Sequence, residues 1–296
     1  MAQKVYRTID VYRINGHSRP GSPQERPVDY EAFFDLLAKT PPAERQVKDG
    51  SRTIAIPTAQ HVENGLAFAF ILGSPDSVTT LYAPSTATTE SVEHDETRFP
   101  VVQVWTIVNP LERVLYLEKK RPGVPVSTIE RFLREFAKTS TNLGPVVFSL
   151  TPIPAPSFVT QINEMTRIRE ASLRVERPNL DWSGPAEDAL GRIAESDAQS
   201  VGVEARASRK QSLRKDAGIV KMIKDMAKRP VNSIRNAMVK GTAPGYAGEK
   251  TVSLEKNQVR ARIEYDKSST PSEVLELIDI TAGELRQQVE NVEDGG

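Results

Sequence analysis

Within residues 205–240 stand eleven cationic side chains, Arg206, Arg209, Lys210, Arg214, Lys215, Lys221, Lys224, Lys228, Arg229, Arg235 and Lys240, against only Asp216 and Asp225. The chemistry open to such a cluster is the neutralisation of phosphates, with release of the counterions that screened them. Because the whole chain balances 39 basic against 39 acidic side chains, this surplus of nine positive charges is matched by a negative surplus elsewhere. Charge sorted in this way suggests a polyanionic partner, and nucleic acid is the commonest one. The other reading of the same lysines is an ordinary solvated helix face.

Catalytic chemistry finds less support. There is no cysteine, so thiolate nucleophiles, disulfides and Cys-based zinc sites are excluded. His17, His61 and His94 are the only histidines, and none has a metal-ligand spacing with another. Pro75-Asp76 followed by Glu118-Lys119-Lys120 resembles the carboxylates and lysine of a metal-dependent nuclease. The separation is long, however, and Pro-Asp is a common turn. Glu90, Glu93, Asp95 and Glu96 read as a hydrated acidic loop, and the glycines of residues 241–248 lack the Gly-Lys-Ser/Thr ending of a phosphate-cradling loop. No catalytic residue, metal or cofactor is therefore expected. A nuclease, or an interaction module that meets an acidic protein, stand as the alternatives to a DNA-binding protein.

The elements that must position the basic residues follow from periodicity. Strands are expected at residues 5–14, 52–57, 66–72, 79–82, 101–108 and 113–118, with Asn64-Gly65 as a hairpin turn. Asp29 can cap a helix whose apolar face is Phe33, Phe34, Leu36 and Leu37. Ser127-Thr128-Ile129-Glu130 has the capping-box spacing ahead of Phe132, Leu133 and Phe136. A polar run at residues 139–144 suggests a boundary between an N-terminal α+β domain, 1–142, and a C-terminal α+β domain, 143–296, that carries the basic helix. The second part reads as helix 157–168, strand 171–176, helix 184–195, strand 200–206, the basic helix, a strand near 233–239, a hairpin through Asn257 and a last helix from Ser272. The fold class is α+β, two-domain, with mainly antiparallel sheets and packed helices.

In the basic helix, Ile219, Val220, Ile223, Met226 and Ala227 form one face while Lys221, Lys224 and Lys228 occupy the other. Arg260 and Arg262 share one face of a strand whose opposite face carries Val259, Ala261, Ile263 and Tyr265. The acidic terminal stretch, with Glu273, Glu276, Asp279, Glu284 and Glu290 against Arg286, can face away or compete with DNA for the basic surface.

The succession Ser212-Leu213-Arg214-Lys215-Asp216, then Ile219-Val220-Lys221-Met222-Ile223-Lys224-Asp225, then residues 230–234, and Lys250-Thr251-Val252-Ser253-Leu254 before a terminal helix resembles the RexA exclusion proteins of temperate phages. The resemblance is clearest from about residue 200 onward. It implies a two-domain, homodimeric, non-enzymatic protein that binds double-stranded DNA with little sequence preference and works beside a small membrane protein to exclude superinfecting phages. Within it, Arg214, Lys215, Lys221, Lys224 and Lys228 match basic positions of the family's helix, whereas Arg206, Arg209 and Lys210 rest on charge alone. The first residues lack the apolar core of a signal peptide, and the longest apolar run, 66–72, is too short to span a bilayer, so a cytoplasmic location without membrane insertion is expected.

Overall fold

The computed structural model describes residues 3–18, 28–74, 79–83, 88–92, 98–139, 146–176, 200–228 and 234–294. The expected α+β class holds, with antiparallel sheets throughout.

An eight-stranded sheet is organised around β1 (Lys4–Ser18), a strand long enough to take three partners. On one side it pairs with β8 (Val114–Lys119), and the order continues through β7 (Val101–Asn109), β4 (Gly65–Gly73), β3 (Arg52–Val62) and β2 (Gln46–Asp49). Its remaining edge is shared end to end: β14 (Arg260–Asp266) pairs with residues 4–10 and β9 (Val146–Pro152) with residues 12–18. The chain between those two strands leaves and returns at Val11. The Val11 amide donates to the Val259 carbonyl at 3.1 Å, and its carbonyl accepts from Ile153 at 3.2 Å. Val259 donates in turn to Ile153 at 2.8 Å. Residues 143–296, expected to form a second unit, are thus divided between the eight-stranded sheet and a four-stranded one.

Alternation in β4 shows why both faces of the large sheet are covered. Leu66, Phe68 and Phe70 join one core with Phe33, Phe34 and Leu37 of α1 (Tyr30–Lys39) and Ile129, Phe132 and Phe136 of α2 (Val126–Thr139). Ala67 and Ala69 point the other way, where their small side chains join Ile278, Ala282 and Leu285 of α5 (Pro271–Asp294). The acidic terminal stretch is therefore a core helix. Asp279 accepts hydrogen bonds from the Glu63 and Asn64 amides, both at 3.1 Å, which ties α5 to the β3–β4 turn. That turn is Glu63-Asn64, one residue earlier than expected, because Gly65 already pairs with Val62. Gly65 has φ +142°, and a Cβ there would meet the Val108 carbonyl.

The inserted part carries a four-stranded sheet in the order β11 (Ser200–Arg206), β10 (Arg167–Glu176), β12 (Ile234–Thr242), β13 (Lys250–Ser253). Phe158 and Ile162 of α3 (Pro156–Glu164) and Val220, Ile223 and Met226 of α4 (Gly218–Ala227) pack on Leu173, Val175, Ala237 and Val239, making a second core. Asn257 is not in a hairpin: β13 and β14 lie in different sheets, and a 3-10 turn over Leu254–Lys256 carries the chain between them. Leu254 is buried with the second core and Val259 with the α5 side of the first, so the crossing is fixed at both ends.

Asp29 caps α1 as expected, accepting from the Ala32 amide at 2.9 Å. The box at Ser127–Glu130 does not form. α2 starts at Val126, two residues earlier than the box requires, the Pro125 carbonyl takes the Thr128 and Ile129 amides, and Glu130 is drawn inward by Arg235. A capping box does form at Thr270 and Glu273, whose carboxylate accepts the Thr270 amide at 2.7 Å. Glu90 lies in a strand, because residues 88–92 (β6) pair with Thr79–Ala83 (β5). Asp76, Glu93, His94, Asp95, Glu96, the expected helix 184–195 and the boundary at residues 140–144 fall outside the described residues. No described helix is long and apolar enough to cross a membrane.

Candidate nucleic-acid interface

The structure does not bring the sequence-selected basic residues onto one surface. Since α4 buries its apolar face, Lys221, Lys224 and Lys228 point away from the small sheet, on its helical side. Lys221 pairs with Asp225 of the next turn, and Lys224 donates to the Asn163 amide oxygen at 2.9 Å. Lys215 reaches the Asn163 carbonyl at 2.6 Å, and Arg214 closes on Asp216. Arg206 and Lys240 project from the opposite face of the sheet and pair with Glu204 and Glu249. Arg209, Lys210 and Lys228 are exposed and make no ion pair among the described residues, and Arg229 lies outside them. Arg235 is drawn inward and serves the fold. Its guanidinium meets both carboxylate oxygens of Glu130 and donates to the Leu150 carbonyl at 2.8 Å, while Leu150 donates its amide to Glu130 at 2.6 Å.

A different set of cations does converge. Beyond the N-terminus of α2 the large sheet is uncovered on one face, and β8, β1 and β14 lie side by side there. The register sets Lys119 opposite Thr8, Thr8 opposite Arg262, and Asp10 opposite Arg260, so these side chains share that face. Lys120 and Arg121 follow Lys119 in the β8–α2 loop, and Lys256 comes from the 3-10 turn. Together they line an open groove of about 660 Å³. The carboxylates nearby are few. Asp10 is fully buried between Lys119 Nζ at 3.2 Å and Arg260 Nε at 3.3 Å, so one carboxylate anchors two cations and offsets one of their two charges. Glu255 is exposed and stands 3.9 Å from Lys119. Arg262 lies over the Tyr6 ring at 4.2 Å, a cation–π contact.

The groove continues into a deeper cleft of about 680 Å³ between the first turn of α2 and the small sheet. Tyr12 lies at its floor, with its hydroxyl pushed up to about 12 by burial and then by the neighbouring Asp10 charge. It stays neutral at any physiological pH. Behind Arg235, burial raises the carboxyl of Glu176, an effect opposed by Arg235 and Arg174.

The nuclease arrangement gains no geometry here. Glu118 points to the opposite face of the sheet from Lys119, is buried, and accepts the Trp105 amide at 3.0 Å beside Arg7. No three His, Asp or Glu side chains are grouped to hold a cation among the described residues. The groove was partly visible in sequence, through the alternation of Arg260 and Arg262. What hid it is that its cations come from a strand end, a loop, a turn and a distant strand, none dense in charge alone.

Residues 7–278 match the family described as a domain of unknown function, DUF4747, and the chain belongs to that family. The match runs from within β1 into α5 and so takes in the groove apart from Tyr6. No curated protein matches the chain.

Proposed function

We propose that this protein binds nucleic acid, double-stranded DNA foremost, through its phosphates, and that the groove over β8, β1 and β14 is the contact surface. The observation that carries the reading is the meeting of Lys119, Lys120, Arg121, Lys256, Arg260 and Arg262 in the lining of one open groove, where Glu255 is the one carboxylate that joins them. Cations on a sheet face meet a phosphate backbone without reading base edges, so the binding is tolerant of sequence and falls steeply with salt. It needs no catalytic group. The basic residues of α4 are secondary in this reading, since Lys221, Lys224 and Lys228 do not line the groove.

The wider role belongs to the same proposal and draws on the resemblance to RexA proteins: a homodimer in the cytoplasm that acts with a small membrane protein to exclude superinfecting phages. A mobility-shift assay with unrelated duplexes, with and without magnesium, tests the molecular part. Retarded, intact DNA of either sequence supports it. Shortened DNA would assign the chain to the nucleases, and unshifted DNA would leave the groove for an acidic protein. Plaque counts on hosts with and without the gene test the exclusion role.

A further inference from the structure

The deeper cleft has a chemistry of its own. It opens at the N-terminus of α2, a 14-residue helix whose Val126 and Ser127 amides have no hydrogen-bond acceptor among the described residues. Unpaired amides at a helix start, with the positive end of the helix dipole, favour an anion. The Ser127 hydroxyl lines the cleft at the same point, and Arg121 and Arg174 approach from the loop and from β10. A second, independent observation points to a ligand. Gln258 is only 3% exposed and lines the cleft, yet its Nε2 has no acceptor at hydrogen-bonding geometry, although its amide stands close enough to the Tyr12 hydroxyl to favour the phenolate. A buried donor left in that state costs free energy unless a ligand or solvent oxygen meets it.

Leu117, Val124, Leu150 and Pro152 give the lining an apolar patch, beside Lys119, Lys120, Arg235 and one carboxylate, Glu255. The volume, about 680 Å³, falls within the range of about 300–1,000 Å³ usual for small-molecule sites. A bare anion would leave that floor uncovered, and an apolar ligand would leave the amides and arginines unused. We infer that the cleft is a binding site for a phosphomonoester of nucleotide size, its phosphate at the α2 N-terminus with Arg121 and its organic part on the apolar floor, with Gln258 donating to a polar atom of the latter. The same chemistry is offered by a free nucleotide and by the 5′-phosphorylated end of a strand. The site borders the groove but does not depend on duplex binding.

Titration calorimetry of the full chain tests it, with adenosine 5′-monophosphate, adenosine, and one short single strand carrying either a 5′-phosphate or a 5′-hydroxyl. Saturable binding of the monophosphate, with adenosine at least about tenfold weaker, is expected, because adenosine cannot make the charge-assisted hydrogen bonds. Binding of the phosphorylated strand alone would support the site and identify a strand end as its source; comparable binding of the monophosphate would identify a free nucleotide. Gln258→Leu should weaken the preferred ligand about tenfold with an unchanged melting temperature, whereas Arg262→Glu, outside the cleft, should weaken duplex binding and leave that ligand within about twofold. No saturable heat with any phosphorylated probe, or equal affinity for phosphorylated and unphosphorylated probes, overturns the proposal. Retained affinity in both Gln258→Leu and Arg121→Gln overturns it as well.

Discussion

Glu130 of α2 and Arg235 of β12, 105 positions apart in the chain, pair through both carboxylate oxygens and both terminal guanidinium nitrogens. Between them they also satisfy the backbone of Leu150, whose amide goes to Glu130 and whose carbonyl accepts from Arg235. One pair therefore joins a helix on the large sheet, a strand of that sheet and the centre of the small sheet. It fixes the wall of the cleft, because Leu150 and Arg235 both line it.

Breaking that pair from one side leaves a buried charge without its partner. Arg235→Met is expected to cost about 3 kcal/mol in chemical denaturation, and Glu130→Gln a comparable amount. Adding Glu130→Leu to Arg235→Met should recover part of the loss, since the remaining carboxylate is then removed. A double variant less stable than the sum of the singles would contradict the pairing.

Glu176 has a pH signature whose sign follows from its environment. Burial raises its carboxyl above the ordinary value, so the folded state binds the proton more tightly than the unfolded chain. Its contribution to stability is complete below the unfolded carboxylate range and is lost as pH rises through the raised folded value. Glu176→Gln should accordingly match or exceed the parent at neutral pH, and the advantage should vanish in acid. Thermal melts across that window check it. A variant that gains on acidification relative to the parent would reverse the assigned sign.

Asp279 should be a structural residue in spite of its position on an acidic helix. Its carboxylate takes two amides of the β3–β4 turn, so Asp279→Ala is expected to destabilise by about 1–3 kcal/mol with DNA affinity unchanged. Removing residues 272 onward would instead expose the core formed by Val274, Leu275, Ile278, Ala282 and Leu285, and the product should fail to fold cooperatively. A well-folded truncation with enhanced DNA affinity would restore the autoinhibitory reading of this segment.

How far the chain was legible depended on the range over which each feature is encoded. Local signals held: the Asp29 cap, the β3–β4 hairpin, the strands at β7 and β8, the apolar faces of α2 and α4, and the alternation at Arg260 and Arg262. Features that depend on distant partners did not. Ser127 and Glu130 have capping-box spacing, but Arg235, far along the chain, claims the glutamate. Nothing near Lys4–Ser18 announces that β1 serves β14 and β9 along one edge, or that a whole sheet is inserted between them. Charge density was the least reliable guide. It singled out residues 205–240, where carboxylates of the same chain answer Arg206, Arg214, Lys221, Arg235 and Lys240, and passed over a groove assembled from sparse cations.

The groove itself is tested most directly by the salt dependence of duplex binding, measured by fluorescence anisotropy for the parent and two triple variants. Replacing Lys120, Arg121 and Arg262 by Ala should lower affinity and reduce the slope of log K against log salt by about 2–3, near 0.9 for each phosphate no longer neutralised. Replacing Lys221, Lys224 and Lys228 by Ala should leave the slope close to that of the parent. The opposite pattern, with the slope reduced by the α4 variant and preserved by the groove variant, would contradict the assignment of the contact surface.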